Sequence, residues 1–184
     1  KEETIRNTSI EQFQSEFECE FLGSIDTLIA PSKIKATPYL NPIESKGGFD
    51  MYKQPVKGHE YVITVDVARG TVKDYSAFVV IDVSEKIYEV VAKYRNNEIK
   101  PFIFPNVVER IAKAYNHAHT LIEVNDIGQQ VSDTMQYELE YDNLLMTTQR
   151  GRAGQVLGAN FSGRGSQLGI RMTKQIKKIG CSNI

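Results

Sequence analysis

"YVITVDVARGTVKDYSAFVVID", Tyr61 to Asp82, is the stretch on which the fold turns. Its opening alternates: Val62, Thr64 and Asp66 share one strand face, and Ile63, Val65 and Val67 share the other. "ARGTVKD" reads as a turn. "YSAFVVIDV" reads as a second strand, apolar enough to expect burial on both faces. "IYEVVAKYR" makes a third strand, and connections this short imply an antiparallel meander. Asp66 is the oddity, because a carboxylate closing an apolar strand asks for a role other than packing.

Downstream, "PNVVERIAKAYNHA" carries Val107, Val108, Ile111 and Tyr115 at helical spacing behind Pro105. "TLIEVN" is a fourth strand. "DIGQQVSDTMQYELE" is a helix, with Asp126 and Gln129 spaced as an N-cap pair and Val131, Met135 and Leu139 recurring every four residues. "NLLMTT" is a fifth strand. A meander followed by helix, strand, helix and strand predicts an α/β fold: a mixed central sheet, antiparallel then parallel, with helices on both faces. Upstream, Thr8 with Glu11, or Ser9 with Gln12, fits a capping box before a short helix. "CEFLGS" and "DTLIA" read as extended pieces, and "PSKIKA" as a helical turn opened by Pro31. Residues 37–59, with three prolines and a Gly-Gly pair, are expected to be mostly loop.

Glu123 lies inside "LIEVN", after apolar residues that fit a buried strand. If that strand neighbours the one ending at Asp66, the two backbones lie about 4.8 Å apart. Two carboxylates that close repel; either a pKa rises or a divalent cation sits between them. Oxygen ligands favour magnesium or manganese, and a pair of such ions can activate water and stabilise a leaving oxygen at phosphorus. The plainer readings are a turn-capping role for Asp66 and an ion pair with Lys or Arg for Glu123. Asp74 reads equally as a third metal ligand, a group just outside the ligand set, or a turn acid. Asp126 is most simply a helix cap, and Asp82 is expected to face away from the site. His117 and His119 suit a helix C-terminus better than a metal.

The net charge of −1 excludes a globally basic protein, but the charge is unevenly spread. From Asn143 onward there is no Asp or Glu, and seven basic residues: Arg150, Arg152, Arg164, Arg171, Lys174, Lys177 and Lys178. Such an end fits a polyanion, or is simply a solvated tail. "TKQIKKIG" predicts a helix capped by Thr173, with Lys174, Lys177 and Lys178 on one face, able to contact phosphates without reading sequence. "RGRAGQVLGANFSGRGSQLGIRM" predicts a hairpin or flexible loop beside the site. Cys19 and Cys181 form no zinc-type pair and read as reduced thiols. No apolar run approaches a membrane span of roughly 20 residues. The chain begins with Lys and is expected to be a piece of a longer protein.

The meander opening on Asp66, then a helix, then a strand carrying Glu123, resembles the ribonuclease H-like fold of the integrase and resolvase type. "YVITVDVARGTVKDYSAFVVID", "LIEVNDIGQQV" and "LGIRMTKQIKKIGCS" resemble, more narrowly, the nuclease domain of large terminase subunits. These are DNA-packaging motor proteins of tailed phages, and the likeness is greatest to those of large contractile-tailed phages. "FQSEFECEFLGSIDTLI" resembles the segment that joins this domain to the packaging ATPase. The resemblance implies residues 1–58 as a linker-derived segment packed on the core, and 59–184 as the nuclease core. It implies Asp66 and Glu123 as catalytic metal ligands for Mg2+ or Mn2+, with Asp74 close by. The family's third acid normally follows a segment like "TKQIKKIG"; no Asp follows Asn143, so that acid is expected outside this sequence. The partners implied are double-stranded DNA, the packaging ATPase domain, the procapsid portal and the small terminase subunit. The place implied is the cytoplasm of the infected bacterial host, not the mature virion.

Three other readings compete. A junction resolvase or integrase-type nuclease shares the fold. A non-catalytic DNA- or portal-binding module would need the acids only structurally. A nucleotide-binding ATPase of the actin and sugar-kinase type needs two duplicated lobes, and no duplication is found in this chain.

Overall fold

The computed structural model describes residues 31–36, 38–149, 155–158 and 165–182. The expected N-terminal helix, the extended pieces after it and Cys19 lie outside them. The chain divides into two compact units, residues 1–40 with 180–184, and residues 41–179. In the first unit, Pro31 opens a short helix, α1 (Pro31–Ala36), as its fixed φ favours at a first helical position. Everything that follows concerns the second unit, apart from residues 180–182 at the end of the last helix.

Its sheet contains β1 (Glu44–Lys46), β2 (Phe49–Met51), β3 (Tyr61–Asp66), β4 (Ser76–Asp82), β5 (Glu89–Asn96) and β6 (His119–Ile122). Their order is β1-β2-β5-β4-β3-β6. The meander β3-β4-β5 is antiparallel throughout, and β6 joins the other edge of β3 in parallel. That parallel step needs a crossover, supplied by helix α2 (Phe104–Ala114). α2 stops where Asn116 and His117 both take positive φ, and the chain turns into β6.

Residues 38–59 are mostly loop, as expected, with one short hairpin that the sequence reading did not give. β1 and β2 form a hairpin about Gly47-Gly48, both at positive φ as a two-residue primed turn requires, and β2 extends the sheet beside β5. One expectation is corrected: β4 is not buried on both faces. Ser76, Phe78 and Val80 are buried, while Ala77, Val79 and Ile81 are half-buried, the alternation of a sheet with one core face.

On that core face, Tyr61, Ile63, Val65, Phe78 and Val80 pack with Phe104, Val108 and Ala112 of α2. Phe78 stacks on Tyr94 at 5.1 Å and on Phe104 at 6.2 Å. After β6, helix α3 (Gly128–Asp133) runs into a π-helical turn at Thr134–Glu138. Val131 and Met135 are fully buried, so the four-residue apolar recurrence seen in the sequence does mark the core face.

The last strands form a second, antiparallel sheet in the order β8-β7-β9: β7 (Met146–Gln149), β8 (Gln155–Gly158) and β9 (Ser166–Leu168). β7 therefore does not extend the main sheet as a regular strand. Isolated parallel bridges, Thr120 with Leu144 and Glu123 with Ile170, make the connection. Helix α4 (Lys174–Ser182) closes the described chain, and no described helix is long and apolar enough to cross a membrane.

Candidate metal centre and nucleic-acid surface

Asp66 and Glu123 come together through the parallel register of β3 and β6. Val65 stands opposite Ile122, and the next residue on each chain is an acid. The backbone N–H of Glu123 donates to the carbonyl of Val65 at 2.9 Å, so the ladder runs one step past β6. Glu123 thus sits just beyond the strand rather than inside it. On its other side it bridges Ile170, whose neighbours are held by Val124 N–H to Ile170 O at 2.9 Å and Ile170 N–H to Ile122 O at 2.8 Å.

Burial pushes the Glu123 carboxyl above its ordinary range; the charge of Asp66 pushes the same way, and Lys177 pulls it down. The two acids therefore repel at the ends of neighbouring strands. A cation on Asp66 and Glu123 relieves both the burial cost and the repulsion, and the all-oxygen donors suit a hard divalent ion. Gly128 keeps the backbone here tight: a Cβ built on it falls 1.9 Å from the carbonyl oxygen of Glu123.

Asp66 also lines an open cavity of about 380 Å³ with Val67, Ala68, Arg69, Thr71, Asp74, Tyr75 and Asp126. Asp74 thus shares the cavity of Asp66, two residues before β4 begins. Among the described residues, no cluster of three or more His, Cys, Asp or Glu is arranged to hold a metal, so Asp74 does not complete a three-acid set.

Asp126 does not cap α3. Its φ is +53°, Ile127 occupies the N-cap position without a side-chain bond, and Gln129 bonds Asp133 at 2.8 Å instead. Asp126 is paired with Arg69 through two hydrogen bonds, Nε to Oδ2 at 2.7 Å and Nη2 to Oδ1 at 2.6 Å. Sequence reasoning passed over Arg69, and no local spacing links two residues so far apart. Asp82 lies at the other end of β3-β4, opposite Tyr61, as expected. There, although burial raises its pKa, hydrogen bonds from His59 and Ser84 outweigh burial and hold it down at about 2.

The basic end divides. Arg150, Arg152 and Arg164 lie outside the described residues. Arg171, Lys174, Lys177 and Lys178 are described and exposed. Thr173 caps α4 through a bond from the N–H of Ile176 to its Oγ1 at 3.3 Å, as its sequence position predicts. Asn125 fixes the approach to that helix, receiving the N–H of Met172 at 2.8 Å and donating to the carbonyl of Met172 at 2.9 Å. Two residues past Glu123, this clamp holds the basic segment beside the acids.

Comparison with known proteins agrees with this architecture. The family model described as the terminase RNase H-like domain matches residues 63–182. The large terminase nuclease of thermophilic phage G20c with bound cobalt aligns at 16% identity and a TM-score of 0.56, over 78% of this chain and 61% of that one. The same nuclease with bound zinc aligns at 20% and 0.47, over 55% and 57%. With bound magnesium it aligns at 16% and 0.41, over 67% and 84%. In the first two alignments the chain spans only 61% and 57% of its relative's length. With the family match covering well over half of its residues, from the middle of β3 to the end of α4, the chain belongs to the terminase RNase H-like domain family.

Proposed function

We propose that this chain is a metal-dependent endonuclease domain that cuts concatemeric double-stranded viral DNA during genome packaging, with little sequence preference. The observation that carries the reading is the placement of Asp66 and Glu123 at the ends of neighbouring parallel strands. Asp66 and Glu123 would hold the cation, Mg2+ or Mn2+. When bound, it supplies an activated water and charge stabilisation at phosphorus, with a second ion as in two-metal hydrolases. A nuclease of the same fold was solved with cobalt, which supports the choice of a divalent ion.

The residues divide the remaining work. Asp66 and Glu123 fix the place of attack through the β3–β6 ladder. Arg171, Lys174, Lys177 and Lys178 would hold the phosphate backbone next to it, and Arg150, Arg152 and Arg164 are assigned to DNA binding by their charge alone. Contacts of this kind position DNA without reading bases, which suits a cut made wherever packaging ends. The partners that follow are the packaging ATPase domain, the procapsid portal and the small terminase subunit, and the place of action is the cytoplasm of the infected host.

The test is calorimetric titration of Mg2+ and Mn2+ beside plasmid nicking, with Asp66→Ala and Glu123→Ala alongside. Metal binding that both substitutions remove supports the reading. Equal binding by all three proteins, or none, would favour a DNA- or portal-binding module. Preferential cutting of four-way junctions would favour a resolvase.

A further inference from the structure

Arg69 and Asp126 stand in matching positions: each is the third residue after one of the two acids, Asp66 and Glu123. Both line the cavity that Asp66 lines, and there they meet. We infer that Arg69 is a phosphate-binding side chain of this cavity, held aside by Asp126 until nucleic acid displaces the carboxylate. The inference rests on the nuclease reading and adds to it a residue and a gating contact.

Stability does not explain the pair. Its side chains are 67% and 59% exposed, and an ion pair so open to water contributes little to stability. The pair does not serve the helix either, since Ile127, not Asp126, holds the N-cap position of α3 and the helix has no side-chain cap. Asp126 instead takes a left-handed conformation, φ +53°, which Asp tolerates, and faces Arg69.

The loop that carries Arg69 is held in place. Ser76 Oγ accepts the N–H of Ala68 at 3.0 Å, and Lys100 Nζ donates to Gly70 O at 2.8 Å. Val72 sits at φ +72°, strained for a β-branched residue, with its N–H on Asn97 O at 3.1 Å and its carbonyl accepting from Asn97 Nδ2 at 3.0 Å. Strain maintained by so many contacts fits a loop whose shape serves a ligand. The geometry also fits phosphate. The Nε and Nη2 edge of Arg69 grips two carboxylate oxygens side by side, and a phosphodiester offers two unesterified oxygens to the same edge. Because the pair is weak and solvated, a phosphate brought up by the basic segment can compete for it.

The test compares Arg69→Ala, Asp126→Asn and the double variant for binding a labelled duplex. It is run in EDTA at several salt concentrations, with circular dichroism checking each fold. Arg69→Ala is expected to weaken binding roughly fivefold and lower the salt slope by about 0.9. Asp126→Asn is expected to tighten binding by a similar factor, and that gain should vanish in the double variant. Weakening by both single substitutions, as for a purely structural staple, overturns the inference. So does a gain from Asp126→Asn that survives without Arg69. A wild-type chain that nicks plasmid while the Arg69 variant binds like wild type overturns Arg69's role alone. A wild-type chain that neither binds nor nicks DNA removes the nuclease reading and this inference together.

Discussion

Glu123 donates its backbone N–H to the carbonyl of Val65, and through that one bond the second acid is fixed against the residue preceding the first. The position of each carboxylate is therefore a property of the sheet, not of a loop. Substitutions that leave the ladder intact should remove chemistry without removing the fold. Asp66→Ala and Glu123→Ala are each expected to abolish cleavage and to lower Mn2+ affinity by at least about tenfold, or 1.4 kcal/mol. Calorimetry reads the affinity, and a thermal melt within a few degrees of wild type confirms the fold.

Acidity should affect stability in opposite ways at the two ends of β3-β4. The carboxyl of Glu123 is raised in the folded chain, so the folded state binds its proton more tightly than the unfolded state. In the window above the ordinary carboxylate value, its ionisation costs stability as pH rises. Glu123→Gln should therefore stabilise the metal-free chain at pH 7 by under about 1 kcal/mol, the group being half exposed, and this gain should disappear below about pH 4. Asp82 is depressed to about 2 from 3.8; its stabilising contribution is complete above the unfolded value and is lost as pH falls from there through 2. Asp82→Asn should cost about 1–2 kcal/mol at pH 7 and almost nothing near pH 2. Urea titrations across pH separate the two.

A methyl group at Gly128 has nowhere to go, being 1.9 Å from the Glu123 carbonyl oxygen. Gly128→Ala should cost about 1–3 kcal/mol and shift Glu123 enough to weaken metal binding. Gly158, with no atom of the described residues within 4 Å of an added Cβ, is the control, and Gly158→Ala should change stability by no more than about 0.5 kcal/mol. Paired unfolding curves and calorimetry give the comparison.

The Asn125 clamp ties the basic segment to the site. Asn125→Ala leaves both the N–H and the carbonyl of Met172 without their partner and should cost about 1–3 kcal/mol. With Lys177 no longer held near Glu123, DNA affinity should fall more than metal affinity. Equal losses of the two would show that the clamp only supports the fold.

Lys174 and Lys178 are exposed on the same helix. Replacing either with Ala should weaken duplex binding equally for unrelated sequences and lower the slope of log affinity against log salt by about 0.9. Fluorescence anisotropy with two unrelated duplexes is sufficient.

What the sequence reveals here depends on how local the cause is. Period-two alternation in Tyr61–Asp66 and the cap at Thr173 are written in adjacent residues, and both read correctly. The hairpin at Glu44–Met51 escapes such reading because its strands have three residues each and lie among prolines, leaving Gly47-Gly48 as the only signal. Asp126 misleads because its spacing to Gln129 imitates a cap, while its real partner, Arg69, is 57 residues away. Half-burial of β4 is equally hidden, since an apolar run does not say what covers its second face. Pairing across such distances is set by the sheet, and no window of neighbours contains it.

The one parallel step in the main sheet has a consequence in time. The antiparallel β3-β4-β5 meander can zip through its short turns, whereas β6 reaches β3 only by way of the α2 crossover. Asp66 therefore sits in the locally connected part of the sheet, and Glu123 joins it only when β6 pairs with β3. A chain caught midway through folding carries half a binding pocket. Ion uptake by this domain would then act as a clock, marking the moment at which β6 locks into register beside β3.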